Sequence, residues 1–368
     1  MPQACCSNRK LTGALPPKAE NEAAKSLAEP WVTGTLQTES GPVPIVSTRW
    51  TFRDRLGSWK VRWGIGRMDY DIHPGLYGVG RPDDTSPVLV TANYKMTFDR
   101  LRCELSGLDA WIMVLDTKGI NVWCAAGKGT FGTREVIRRL KAVGLPQIVS
   151  HRTIILPQLG APGVKAHEVT KATGFRVVYG PVRAADLPAF LAAGQVATPE
   201  MRRVRFGTWD RLVLTPNELV ASIKPAVIAL GILFILNSVG FGHYGLADLV
   251  ALAGAILAGS VLTPVLLPIL PGRLFAVKGA LLGLAWAAAV NLLGGWPEAS
   301  AAVWMKAIAW FLALPAISAF EAMNFTGCTT YTSVSGVNRE MRLTLMPQLV
   351  AAVTGVVLLL ASDVVRLV

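Results

Sequence analysis

Asn121 to Lys128 read Asn-Val-Trp-Cys-Ala-Ala-Gly-Lys and follow the apolar run "AWIMVLD". One thiol, one indole and three residues of minimal side chain stand together. Asn is a strong N-cap, so a helix is expected to open after Asn121. Cys124 then falls in its first turn, where the helix dipole favours a thiolate. Ala125, Ala126 and Gly127 would let a large flat group come close, and Trp123 adds an apolar face. A thiolate so placed suits a soft axial ligand to a metal in a planar macrocycle. A buried cysteine in a tight turn suits the same residues, and the residues alone leave both readings open.

Other chemistries fail on spacing. "AAGKGT" hints at a phosphate loop, but position 122 is Val where a Walker A motif needs Gly, and Lys128 precedes Gly rather than Ser or Thr. A Ser or Cys hydrolase needs a partnered His, and the four histidines show no such pairing. The five cysteines, Cys5, Cys6, Cys103, Cys124 and Cys328, are odd in number and include no CxxC. That argues against a disulfide framework, a zinc site or an iron–sulfur cluster within the chain, and it suits a reducing compartment. Cys5 and Cys6 have the chemistry to hold a soft metal but read as incidental thiols. Cys103 reads as core.

The elements that must position Cys124 are expected to alternate. Val88–Ala92 and Trp111–Asp116 read as strands. "REVIRRLKAVG" reads as an amphipathic helix capped by Thr133 and stopped by Gly144. "RTIILP" and "FRVVYG" read as strands, "VKAHEVTKATG" and "AADLPAFLAA" as helices. This order predicts a mostly parallel sheet with helices on its faces. Ligands of such sheets bind at the carboxyl ends of strands. "TANY" and "DTKGINVWC" both fall there, so the two loops are expected to face one crevice.

Charge divides the chain. Residues 1–224 carry 30 of the 36 Lys and Arg and 19 of the 24 acids; residues 225–368 carry six and five. The net charge of +12 is compatible with nucleic acid, but no nucleic-acid motif is present, and a domain held against an anionic leaflet has the same bias. The second part predicts five membrane helices, about 225–241, 248–271, 276–295, 301–321 and 344–364, each near the roughly 20 residues that cross hydrocarbon. Lys306 is expected to snorkel, and Pro264, Pro268 and Pro271 to kink or end the second span. Arg273 with Lys278, and Arg339 with Arg342, alternate with loops lacking Lys and Arg. The charged domain is therefore expected in the cytoplasm and the C-terminus outside, in a cytoplasmic membrane. No acid is expected near mid-membrane, which weighs against a transporter. The domain reading is a disordered leader over 1–41, an α/β domain over 42–210, a linker over 211–224 and a transmembrane domain over 225–368.

"NVWCAAGKGTF" resembles the cap-helix signature of the mercury-methylating corrinoid protein family (HgcA) and, more widely, the corrinoid-binding part of corrinoid iron–sulfur proteins. "TANYKMTFDRLR", "SHRTIILPQLGAPG" and "MNFTGCTTYTSVSGVNREM" share in the likeness, as does the order of a soluble domain before five membrane helices. The resemblance implies a Rossmann-like α/β corrinoid-binding domain followed by an all-α five-helix transmembrane domain. It implies a cobalt corrinoid of cobalamin type, base-off, with Cys124 as its lower axial thiolate. Asn121, Val122, Trp123, Ala125, Ala126, Gly127 and Lys128 would form the cap of that face, with Lys128 meeting a corrinoid amide or phosphate, and Thr91 would lie near it. "DIHPGL", Asp71 to Leu76, approaches the Asp-x-His-x-x-Gly pattern of His-ligated cobalamin proteins, but the last position is Leu, so His73 reads as a surface histidine in a turn.

The implied reaction is methyl transfer from the corrinoid to Hg(II). A thiolate donates more electron density than imidazole and favours release of the methyl group with its electrons, toward a soft ion. The cobalt must then be reduced by two electrons, and the resemblance implies a ferredoxin-like partner with two [4Fe–4S] clusters, with a methyl-pterin route as methyl donor. Cys328 is a candidate Hg(II) relay, beside the plainer reading of a loop thiol. Two alternatives stand: a membrane-anchored methyl carrier of acetyl-CoA-pathway one-carbon metabolism, and a transporter or sensor with a soluble ligand-binding domain.

Overall fold

The computed structural model describes residues 29–240, 244–294 and 300–367, excepting the side chains of residues 328, 334, 366 and 367. Two compact units emerge. One runs through Ser58 and again from Gly66 to Arg203; the other holds Trp59–Ile65 and the chain from Val204 on.

The first unit contains β1 (Val32–Thr38), β2 (Gly41–Val46), most of α1 (Phe52–Arg62), β3 (Gly75–Val79), β4 (Val88–Ala92), α2 (Lys95–Glu104), β5 (Ala110–Leu115), α3 (Val122–Lys128), α4 (Thr133–Ala142), α5 (Leu145–Ile148), β6 (Thr153–Leu156), α6 (Ala166–Thr173), β7 (Arg176–Tyr179) and α7 (Leu187–Ala192). The strands form one sheet in the order β1-β2-β3-β5-β4-β6-β7. The β5-β4-β6-β7 half is parallel, as alternation predicts. The other half is mixed: β3 runs antiparallel to β5, and β1 antiparallel to β2. The sheet carries a core on each face. Val122, Ala125 and Ala126 of α3, with Val136 and Leu140 of α4 and Val169 of α6, cover one. Phe98 and Leu101 of α2, with Leu187 and Phe190 of α7, cover the other. β5, buried at all six positions, lies between them, which is why it reads as a continuous apolar run.

The leader reading is corrected where the chain is described. β1 lies within 1–41 and pairs with β2 across a short turn at Glu39 and Ser40. Trp31, Val43 and Val46 are buried, so this hairpin belongs to the folded unit. Residues 1–28, with Cys5 and Cys6, lie outside the described residues. Thr133 is the first helical residue of α4 rather than its cap: Gly132 takes the N-cap position, and the Thr133 hydroxyl accepts from the Lys165 amide at 2.9 Å.

The second unit contains α8 (Thr208–Leu212), α9 (Thr215–Ser238), α10 (Leu246–Leu257), α11 (Thr263–Leu266), α12 (Phe275–Leu293), α13 (Ala301–Asn324) and α14 (Val334–Leu367). Among the described residues, five helices are long and apolar enough to cross a membrane: Thr208–Ser238, Leu246–Leu266, Phe275–Leu293, Ala301–Gly327 and Ser335–Val365. The stretch 211–224 is mostly helical rather than a linker, because Pro216 opens α9 in the first turn, where proline is tolerated. The polar stretch 324–342 likewise shortens, since α14 begins at Val334. A π turn at Ala258–Leu262 leads into Thr263–Leu266, with Pro264 in its first turn, and the helix ends before Pro268 and Pro271. Small residues let α12 and α13 touch: a Cβ on Gly283 would strike the backbone of Pro315, and the Ser318 hydroxyl donates to the Gly279 carbonyl at 2.8 Å.

Three charge assignments change. Lys278 is not a free loop cation: it is buried and donates to the Leu267 and Leu270 carbonyls at 2.6 and 2.8 Å. Lys306 pairs with Asp248 at 2.8 Å rather than only snorkelling. Buried acids do occur in the spans: Glu321 accepts from the Ser222 hydroxyl at 2.6 Å, and Glu340 from the Ala276 amide at 2.7 Å. Both lie toward the ends of their spans, Ala301–Gly327 and Ser335–Val365, rather than near mid-membrane.

Candidate functional site

The site begins at the end of β4. Asn93 is buried, and its Oδ1 accepts from the amides of Thr117 and Gly119, both at 3.0 Å. The Thr117 hydroxyl lies 2.8 Å from that same oxygen and 2.7 Å from the Ile120 carbonyl, so its one proton is shared between them. One amide side chain thus fixes the turn that leaves β5. A second fastening comes from α4, where Glu135 Oε1 accepts from the Asp116 amide at 2.9 Å. Lys118 and Gly119 take left-handed backbone, at φ 60° and 68°, which turns the chain into Asn121. The TANY and DTKGINVWC loops do meet, through Asn93 and Thr117.

Asn121 caps α3 as its type predicts, its Oδ1 accepting from the Cys124 amide at 2.9 Å. The helix ends at Gly129, at φ 80°, whose amide bonds the Ala126 carbonyl. Between these caps the seven residues sort into two faces. Val122, Ala125 and Ala126 are buried in the core. Trp123, Cys124, Gly127 and Lys128 face outward. The alanines therefore do not line the approach surface. They let α3 lie close to segment 158–163, where a Cβ on Gly163 would collide with the Phe131 carbonyl and crowd Ala126. That explains the Gly-Ala-Pro-Gly run, residues 160–163. On the outward face the small residue is Gly127, and nothing lies within 4 Å of where its Cβ would be. Cys124 stands three residues before it.

Thr91 is not brought to this face. It is 2% exposed and pairs with Val114, on the side of the sheet that packs against α2 and α7. Val122 contributes packing from below rather than contact from above. His73 is half-buried ahead of β3, its carbonyl accepting from the Tyr77 hydroxyl at 2.7 Å. Cys103 is also half-buried rather than fully core, and burial pushes its thiol up against the opposing Arg102 charge. Cys124 is exposed. The side chain of Cys328 lies outside the described residues. No group of three or more His, Cys, Asp or Glu side chains placed to hold a metal ion occurs among the described residues. Asn93, Thr117 and Glu135 were not singled out by sequence reasoning. Only the Asn of TANY, a polar residue ending an apolar strand, was a usable signal.

Residues 67–191 match the family described as "CO dehydrogenase/acetyl-CoA synthase delta subunit". The chain is 33% identical over 127 residues to the acetyl-CoA decarbonylase/synthase complex subunit gamma of Methanopyrus kandleri, covering 34% of this chain and 27% of that protein. It is 30% identical over 124 residues to the corrinoid/iron-sulfur protein large subunit of Moorella thermoacetica, covering 33% and 27%. The chain thus spans about a quarter of the length of the curated relatives it matches. The matched stretch runs from just before β3 through most of α7, takes in Asn93 and all of α3, and ends before the five apolar helices. The α/β unit is similar to corrinoid proteins.

Proposed function

We propose that this chain is a membrane-anchored, corrinoid-dependent methyl-transfer protein of one-carbon metabolism, with Cys124 as the lower axial ligand of the cobalt. The observation that carries it is the outward face of α3, where an exposed thiol and the bare Gly127 share a helix fixed at both ends. Those residues fit a broad, flat group. Cys124 supplies one soft donor, Gly127 leaves room for the ring, and Trp123, 39% exposed, offers an apolar edge. Lys128, at the far end of the face, suits an amide or phosphate of the macrocycle's periphery. Asn121 holds the first turn, and so the thiol, through its bond to the Cys124 amide. When bound, the corrinoid supplies a cobalt centre that accepts a methyl group and gives it up. The residues on this chain supply the thiolate and its position.

The names of the relatives, an acetyl-CoA decarbonylase/synthase complex subunit and a corrinoid/iron-sulfur protein, favour a one-carbon carrier. The donor proposed for it is a methyl-pterin and the reductant an iron–sulfur partner, in keeping with a sequence that has no CxxC. A second reading makes Hg(II) the methyl acceptor. The Asn-Val-Trp-Cys-Ala-Ala-Gly-Lys string and the five apolar helices support it. In that reading a ferredoxin-like protein with two [4Fe–4S] clusters is the reductant, and Cys328 is a candidate relay for the incoming ion. Both readings use the same site and differ in acceptor. An anaerobic assay of the full chain with corrinoid, reductant and methyl-pterin separates them. Methylmercury formed with Hg(II) by wild type and not by Cys124→Ala supports the second. Methyl loading without methylmercury supports the first. Absence of both in wild type contradicts the shared proposal.

A further inference from the structure

Helix α1 is inverted relative to a water-facing helix. Its inward side is Asp54, Ser58 and Val61, all buried. Asp54 pairs with Arg102 and Lys95, and the Ser58 hydroxyl donates to the Met96 sulfur at 3.3 Å. Its outward side is Phe52, Leu56, Trp59 and Trp63, which are 78%, 43%, 71% and 47% exposed. At about 100° per residue these four fall on one narrow stripe. Arg53 and Lys60 lie roughly a quarter-turn to one side of it, and Arg55 and Arg62 a similar angle to the other. The stripe continues past the helix through the exposed Ile65 and Met68, with Arg67 between them. An exposed apolar stripe of this size is unusual on a soluble surface, and aromatic residues flanked by cations are the pattern of a helix lying in a membrane interface.

Trp59–Ile65, the end of this stripe, belongs to the second unit and packs there. Arg62 donates to the Val213 carbonyl at 3.1 Å, and Gly64 packs on Val220, in the second turn of α9. These contacts set Trp59 and Trp63 beside the first turns of the first candidate span, which itself carries the exposed Trp209 near its start, where aromatic belts occur.

We infer that α1 and the turn through Met68 form an interfacial element: the Phe52-Leu56-Trp59-Trp63 stripe enters the headgroup region of the bilayer, and Arg53, Arg55, Lys60 and Arg67 meet anionic lipid headgroups. The inference rests on the reading that the five apolar helices cross a bilayer. Its role is to hold the chain at the membrane surface at one more point than the spans provide.

The test uses the full chain, native cysteines kept, in lipid discs of phosphatidylcholine and phosphatidylglycerol. A photoreactive benzoylphenylalanine replaces Trp59 or Trp63, Val227 as a control on the apolar face of α9, or Lys141 as a control on α4. Lipid adducts are counted by mass spectrometry. Adducts at Trp59 and Trp63 several-fold above those at Lys141 are expected, together with adducts at Val227. Adducts at Val227 alone would overturn the inference and leave the membrane reading standing, as would capture of a protein in place of lipid at Trp59. No adducts at Val227 would sink the membrane reading and the inference with it. Replacing phosphatidylglycerol by phosphatidylcholine is expected to lower the yield at Trp59 and Trp63 but not at Val227; equal yields would contradict the anionic-headgroup assignment.

Discussion

Two turns leave adjacent parallel strands and are held in opposite ways. The turn after β5, which aims α3 and Cys124, is fixed at its centre by a neutral group: Asn93 Oδ1 takes two backbone amides and shares the Thr117 hydroxyl, while the Glu135 and Asp116 carboxylates accept amides at its start. The segment after β4, which becomes α2, is fixed by charge. Arg102, fully buried, meets Asp54 and Asp99 at 2.9 Å, and Lys95 meets the same carboxylates at 3.2 and 2.6 Å. Arg102 also donates to the Ser47 and Arg49 carbonyls. Buried charges couple strongly and respond to pH, whereas a buried amide holds a turn without titrating. The Asn93 fastening of the turn that aims the thiol thus contains no titrating group, whereas the fastening of α2 consists of them.

The largest effect is expected from breaking the charged side. Arg102→Met leaves Asp54 and Asp99 sharing one lysine in a buried site and should cost about 3–5 kcal/mol, read by denaturant or thermal unfolding. The same network sets a pH dependence. Burial pushes the Asp54 carboxyl up, but the Thr51 hydroxyl and amide and the Lys95 and Arg102 charges outweigh it and hold it at about 2, below its ordinary 3.8. A depressed carboxylate adds stability that is fully present above about pH 4 and is lost as pH falls through about 2. The cost of Asp54→Asn should therefore shrink across that window. The cost of Asn93→Leu should not change there, and a parallel decline would contradict the contrast.

Asn93→Leu comes next. It strands the Thr117 and Gly119 amides without their acceptor, at about 1–3 kcal/mol for each buried group left unpaired. Hydrogen exchange over 116–124 should rise more than over α2. Asn121→Ala removes a single cap and should cost about 1 kcal/mol, with faster exchange confined to the first turn of α3. The smallest stability effect separates structure from function. Gly127→Leu replaces an open, solvent-facing helical glycine and should be neutral or stabilising by up to about 1 kcal/mol, while it prevents corrinoid retention in reconstitution. Retention equal to wild type would remove Gly127 from the binding face.

The elements around the site were largely legible. Val88–Ala92 and the β5 run are apolar stretches bounded by turns, and Asn121 announces a helix by type. The hairpin at Val32–Val46 was hidden because its prolines and glycines carry turn chemistry, and its burial depends on a partner, β3, that is itself two-fifths glycine. The sense of β3 against β5 is a long-range pairing that local pattern does not encode. The faces of α3 were also beyond reach. In a helix of under two turns, which of Ala125, Ala126 and Gly127 faces outward depends on how the chain leaves β5, and Asn93, nearly thirty residues earlier, decides that. Thr91 shows the converse error: strand alternation turns a residue next to the right loop toward the wrong side of the sheet.

The most direct test of the central claim is the anaerobic absorption spectrum of the full chain loaded with corrinoid, wild type against Cys124→Ala. The account predicts a base-off corrinoid with sulfur ligation in wild type and loss of that ligation, though not of the folded α/β unit, in the variant. Identical spectra from both proteins, or a wild-type protein that takes up no corrinoid, would contradict it.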